Sequence, residues 1–106
     1  MSKMPGRYLK FKEQYPQVFK AYESLGIAAA ESGPLSRREI ALVKLSIASG
    51  AKMEGAVHSH TRRALEAGVS PEEIRHLVLL AVTTLGFPSM MAVMSWVDEV
   101  LNDQKD

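Results

Sequence analysis

The sequence predicts an all-helical fold, and three observations support this prediction. Glycine and proline residues divide the 106-residue chain into segments of helical length. Within these segments apolar residues recur at the three- and four-residue spacing of a helix surface. The β-branched residues do not alternate with polar residues over the length of a strand. We therefore expect a bundle of about five to six helices. It is expected to form a single domain over residues 1–106, with a disordered tail over residues 1–7.

The first two long helices have clear boundaries. One is expected from Pro16 to about Glu31, because proline suits the first helical position and Ser32-Gly33-Pro34 ends the helix. The next helix begins with the capping box Ser36-Arg37-Arg38-Glu39 and stops at Gly50. A short helix over about Tyr8 to Gln14 is a further, weakly marked prediction.

Three more helices are expected in the second half of the chain. A helix from about Glu54 to Ala67 is followed by Gly68, which suits a helix end. A second capping box, Ser70-Pro71-Glu72-Glu73, begins a helix that is expected to continue to Gly86. The last helix is expected to start near Pro88.

Two of these helices carry apolar residues on nearly every side. Such a helix must be buried all round, and a chain of 106 residues can hardly surround two of them. An exposed apolar surface of that size would favour aggregation. We therefore expect that another copy of the chain covers part of it and that the protein is a homo-oligomer.

Composition limits the classes of partner and chemistry. The net charge of +1 gives no electrostatic reason to expect a nucleic acid or an anionic membrane as a partner. No window approaches the ~18 consecutive apolar residues of a membrane span. The chain has no cysteine, which removes disulfides and thiolate nucleophiles and suits a cytoplasmic protein.

The distinctive chemistry of the sequence lies in the helix expected from about Glu54 to Ala67. Its two histidines, His58 and His60, lie two residues apart and therefore roughly 200° apart around a helix. They cannot bind one metal ion together while both lie in a regular helix. We expect neither a metal ion nor a cofactor.

The two histidines are expected in different surroundings. His58 falls at four-residue steps from charged residues that form a solvated ladder of ion pairs; these are Glu54, Arg62 and Glu66. His60 shares a face with small apolar residues and is expected to point inward; these include Ala56, Val57 and Ala64. Two interpretations of His60 stay open, a core histidine bonded to a backbone carbonyl or a partly buried acid or base with a shifted pKa.

One stretch resembles a known family. A capped helix and a short loop precede His-Thr-Arg-Arg-Ala-Leu-Glu-Ala-Gly-Val-Ser-Pro-Glu-Glu-Ile, and an apolar helix then ends in Leu-Gly-Phe-Pro-Ser-Met-Met. Over about Leu35 to Val100 the chain is similar to the carboxymuconolactone decarboxylase/alkylhydroperoxidase D-like family. The resemblance implies an all-helical subunit that assembles as a trimer or hexamer, with a site near a subunit contact.

The chain lacks the redox residues of the peroxidase-type members of this family. Peroxidase-type members carry Cys-x-x-Cys, a histidine four residues later and a glutamate one helix earlier. Counted from His60, the two cysteine positions here are Met53 and Ala56, and the glutamate position is Ala41. A thioether and a methyl group cannot exchange disulfides, so we reject dithiol peroxidase chemistry.

Decarboxylase-type members act on a lactone carboxylate by acid–base chemistry, and this activity is the one that the resemblance favours. His60 is the expected acid or base, with Glu54, His58 or Lys44 assisting. The usual glutamate four residues before the histidine is Ala56 here, and Glu54 is the nearest substitute. Lys44 or Arg62 would stabilise a carboxylate or enolate. The alternative is a non-catalytic ligand-binding or assembly protein, so whether this lyase-like chain is an enzyme stays open.

Overall fold

The computed structural model describes residues 6–103, and nearly all of them are helical. The helices are α1 (Gly6–Gln14), α2 (Pro16–Glu31), α3 (Arg37–Gly50), α4 (Glu54–Glu66), α5 (Pro71–Leu79) and α6 (Phe87–Asp103), with a short 3-10 helix (Leu80–Thr83) between the last two. No strand occurs among these residues. The predicted all-α bundle is confirmed. None of the helices within residues 6–103 combines the length and apolar character that crossing a membrane requires.

The chain divides into two compact units. The first unit, residues 1–36, contains α1 and α2. Its one described residue with a buried side chain is Phe19, whose ring meets the Tyr8 ring edge-on at a centroid distance of 5.5 Å. The Nζ atom of Lys12 lies 5.4 Å from the centre of the same ring, a cation–π contact. Most of the expected disordered tail, residues 1–5, lies outside the described residues, and Gly6 and Arg7 form the first turn of α1.

The second unit, residues 37–106, contains the apolar core. Helix α4 packs against both α3 and α6, and α5 packs against α6. The buried side chains come from all four helices and include Leu45, Val57, Ile74, Val78, Val93 and Val97. Burial of such aliphatic side chains contributes about 1.5–3 kcal/mol each, which fixes α4 firmly between its neighbours.

Local sequence signals set most of the helix ends. Helix α2 spans Pro16–Glu31 as predicted, and α3 begins directly after Ser36 and ends at Gly50. In the predicted capping box of α5, the Glu73 amide donates to Ser70 Oγ and the Ser70 amide donates to Glu73 Oε1. The predictions for these boundaries are confirmed.

The predicted extent of the fourth long helix is wrong. Helix α5 ends at Leu79, and the chain tightens into the 3-10 helix instead of running on to Gly86. The hydroxyls of Thr83 and Thr84 donate to the carbonyls three residues earlier, those of Leu80 and Ala81. Threonine hydroxyls that bond back in this way compete with the regular backbone bonds of an α-helix. Gly86 then takes a φ of +94°, a left-handed value that favours glycine.

Many apolar side chains of the second unit are not covered by that unit itself. They come from α3, from the segment around the 3-10 helix and from the start of α6; they include Val43, Ile47, Leu79, Leu80, Phe87 and Met91. An apolar surface of this extent is typical of a protein contact. The oligomeric state itself stays a prediction.

Candidate functional site

Helix α4 presents its two histidines to different neighbours. Val57, Thr61 and Ala64 are buried on the side of α4 that faces the core. The Thr61 hydroxyl is satisfied within the helix, because Oγ1 donates to the Val57 carbonyl at 2.6 Å. The buried face fixes the rotation of α4, and His58 and His60 therefore belong to two separate groups of side chains.

His60 is half-buried and lies within reach of two positive charges. Burial lowers the pKa of the His60 imidazole below its ordinary 6.5, and the charges of Arg63 and Lys44 lower this pKa further. A histidine with a lowered pKa is neutral at pH 7 and has one ring nitrogen free to accept a proton. The imidazole, the ammonium and the guanidinium together form what we call the His60 cluster: His60, Lys44 and Arg63.

Lys44 reaches this cluster from the neighbouring helix. It follows Val43 on α3 and precedes Leu45, which is fully buried in the core. Its own side chain is half-buried. An anion is attracted more strongly to a half-buried ammonium than to one in bulk water.

His58 belongs to a different group. Its Nε2 atom lies 2.7 Å from Oε1 of Glu99 on α6, a hydrogen bond in which the ring N–H donates to the carboxylate. A carboxylate oxygen of Glu54, a ring nitrogen of His58 and a carboxylate oxygen of Glu99 all lie within 4.8 Å of one another. We call these three residues the His58 cluster. The predicted ladder along α4 is therefore only part of the arrangement, because the hydrogen-bond partner of His58 comes from another helix.

The four residues predicted for the site thus divide into two pairs. His60 and Lys44 come together, whereas His58 and Glu54 meet each other. Two further residues join them that sequence reasoning missed. Arg63 could have been predicted, because residues three apart on a helix lie on the same face. Nothing in the sequence near His58 indicated Glu99, which lies 41 residues later.

Apart from His60, the positions of the peroxidase-type relay carry neither a thiol nor a carboxylate here. Met53 precedes α4 as its N-cap residue and is exposed, with 57% of its surface accessible. Ala56 is half-buried and Ala41 is part of the apolar core. None of these three side chains can take part in thiol–disulfide exchange or carry a proton.

These features define a class of protein, an all-helical protein with a histidine-bearing central helix and no thiol. The comparison with family models is in agreement. The model of the carboxymuconolactone decarboxylase family matches residues 16–99. Since this match covers most of the chain, the protein belongs to that family.

The chain is also similar to an individual curated protein. An uncharacterized protein of Haemophilus influenzae is 35% identical to this chain over 52 residues. The match covers 49% of this chain and 46% of that protein, so the chain aligns with about half the length of its relative. No solved structure matched the chain.

Proposed function

We propose that the protein is a decarboxylase-like carboxy-lyase that acts on a small carboxylated or lactone substrate at the His60 cluster. The observation that carries this proposal is a half-buried imidazole whose charged neighbours, Lys44 and Arg63, are both cations. Membership of the carboxymuconolactone decarboxylase family supports the choice of substrate class.

The charges suit an anionic substrate. Two cations beside a half-buried imidazole attract a carboxylate, and the partial burial of Lys44 strengthens that attraction. The same charge also stabilises the enolate as it forms. A positive charge that is already in place before the reaction usually makes the largest single contribution to the rate. His60 supplies the group that exchanges a proton with the substrate.

The proposed step balances as follows. The bond between the carboxylate carbon and the lactone ring breaks, and the carboxylate leaves as carbon dioxide. The electron pair of that bond moves towards the lactone carbonyl and gives an enolate, which the Lys44 ammonium stabilises. Neutral His60 takes up a proton from solvent, and the imidazolium so formed delivers it to the enolate carbon, which returns His60 to its neutral form. Each turnover therefore consumes one proton and releases one carbon dioxide.

The experiment is a direct assay of carbon dioxide release from carboxymuconolactone, the compound in the family name. His60→Ala is expected to lower the rate by about 10²–10⁴-fold, the usual contribution of a placed proton donor. His76→Ala is the matched control, since His76 lies exposed on α5. Lys44→Met is expected to lower the rate, and Lys52→Met, which changes an exposed lysine, is its control. A rate that survives His60→Ala unchanged would contradict the proposal.

A second candidate is a ligand-binding or assembly protein without turnover. The observation that favours it is the loss of every relay group except His60, since Met53, Ala56 and Ala41 occupy the two cysteine positions and the glutamate position. The same assay separates the two candidates. Saturable binding of the lactone with no release of carbon dioxide would support the binding protein, and measurable release that depends on His60 would exclude it.

We further propose that the protein assembles as a homotrimer or homohexamer. The exposed apolar side chains of α3, the 3-10 helix and the start of α6 support this, because the second unit by itself does not bury them. Their removal from water upon assembly is favourable at about 25 cal/mol per Å².

A further inference from the structure

We propose that the His58 cluster binds a divalent first-row transition-metal ion. The ligands are one imidazole nitrogen, from His58, and one carboxylate oxygen each from Glu54 and Glu99. These three atoms lie within 4.8 Å of one another. The site is separate from the His60 cluster and contributes a binding function that the proposed lyase chemistry does not use.

The packing of α4 and α6 positions the three ligand residues in the metal-free protein. Glu54 and His58 are four residues apart on α4, so their side chains lie one above the other on the same face. Glu99 comes from α6, which packs against α4. Buried residues next to the ligands hold both helices, Val57 beside His58 and Val100 beside Glu99. The positions of the ligand-bearing backbone are therefore set by the core and not by the surface side chains.

The distances need only small side-chain rotations. Zinc ligands lie about 2.0–2.2 Å from the ion, which places tetrahedral neighbours roughly 3–3.5 Å from each other. The His58 Nε2 to Glu99 Oε1 distance is 2.7 Å, slightly shorter than this, because a hydrogen bond joins the two atoms. Nε2 becomes a metal ligand when the ring proton resides on Nδ1. Glu54 and Glu99 are exposed, and the Glu99 carboxylate can turn towards an ion once its hydrogen bond with His58 opens; solvent completes the coordination shell.

The donor set decides the class of ion. An imidazole with two carboxylates suits zinc and its first-row neighbours, whereas magnesium and calcium prefer oxygen ligands alone. Without a thiolate or thioether among the ligands, monovalent copper is disfavoured. The two carboxylates neutralise a divalent charge. Across such a site affinity rises from manganese through cobalt to nickel, and zinc binds more tightly than manganese.

The experiment is a calorimetric titration of the chelator-treated full chain with zinc ion, with cobalt ion as a second probe. We expect one equivalent per chain to bind saturably, and millimolar magnesium not to displace it. His58→Ala and Glu99→Gln each remove a direct ligand and are expected to weaken binding by at least the 10–100-fold that even an outer partner of a metal ligand contributes. These side chains lie outside the core, so the variants retain the helical content that circular dichroism measures.

The two remaining histidines provide matched controls. His76→Ala removes an exposed histidine on α5, and His60→Ala removes the one two positions away on α4. Both are expected to bind zinc like the parent chain. The proposal is overturned if no saturable binding occurs, if His58→Ala binds as tightly as the parent, or if either control loses the ion. Because the His60→Ala variant is expected to retain metal, failure here is distinguishable from failure of the lyase proposal.

Discussion

Nε2 of His58 and Oε1 of Glu99 lie 2.7 Å apart, although the two residues are 41 positions apart in the sequence. The contact joins α4 to α6 at the surface of the second unit, where 26% of the His58 side chain and 60% of the Glu99 side chain are accessible. A pair this exposed contributes little to folding. Its position beside a third ligand-type residue, Glu54, is the more informative feature.

The weak contribution of this pair to stability is itself a prediction. In a double-mutant cycle with His58→Ala and Glu99→Ala, we expect a coupling free energy of about 0.2–1 kcal/mol. Denaturant unfolding in the presence of a chelator measures it, and 1 M salt should reduce it further. A coupling of several kcal/mol would show that the pair has a structural role and would weaken the case for a ligand site.

Gly68 has a conformational role that a single substitution tests. Its φ is +88°, and an added Cβ would meet no atom within 4 Å. Gly68→Ala is therefore expected to destabilise the fold by about 1–2 kcal/mol, through the left-handed backbone alone. Gly50→Ala, at the end of α3, is the control. Its Cβ also meets open space without a positive φ, and we expect it to stabilise by about 0.4–1 kcal/mol. Equal effects at the two glycines would contradict this account.

The capping box of α5 predicts acid sensitivity. The Ser70 backbone amide and then the Arg38 side chain hold the pKa of Glu73 at about 2, below its ordinary 4.5. Between these two values the unfolded chain binds the extra proton, so this part of the stability is complete above about pH 4.5 and is lost as the pH falls towards 2. We expect Glu73→Gln to be less stable than the parent at pH 6, with a difference that shrinks towards pH 2.

Urea unfolding of both chains across this pH range measures that difference. Glu72→Gln is the matched control, since it changes an acid in the same helical turn and leaves both capping-box hydrogen bonds in place. A difference between parent and Glu73→Gln that stays constant down to pH 2 would show that the charge of Glu73 does not stabilise the cap.

Assembly is expected to depend on the exposed apolar residues of α3. Ile47 has 66% of its surface accessible on the single subunit, so Ile47→Glu leaves the core intact but places a charge on the proposed contact. Light scattering should give three or six times the subunit mass for the parent and the monomer mass for this variant. Asn102→Glu, which adds a charge at an exposed position at the C-terminal end of α6, is the control. A parent chain that stays monomeric at micromolar concentration would rule out the assembly.

Much of the fold was predictable because its signals are local. Pro16 and the Ser70–Glu73 box act on the few residues around them, and the helices begin where these residues place them. The end of α5 was not predicted, because the long apolar pattern gives no sign of it. Apolar periodicity continues through Leu80 and Val82, while the Thr83 and Thr84 hydroxyls favour a tighter helix over only a few residues.

The site was only partly predictable. Helical spacing predicted that His58 and His60 face different sides of α4. Glu54, which was also expected to assist His60, lies beside His58. The approach of Lys44 to His60 and of Glu99 to His58 depends on how α3 and α6 pack against α4. Such packing joins residues far apart in the chain, and no spacing within one helix contains that information.

The most direct test of the central claim is to observe which histidine a substrate touches. The chain has three histidines, so the ring signals of each can be assigned by NMR from single His→Ala variants. On titration with carboxymuconolactone, we predict saturable shifts of the His60 ring signals, much smaller changes at His58 and His76, and loss of the response in Lys44→Met. Saturable shifts centred on His58 or His76, or no shift at His60 at millimolar lactone, would contradict the account.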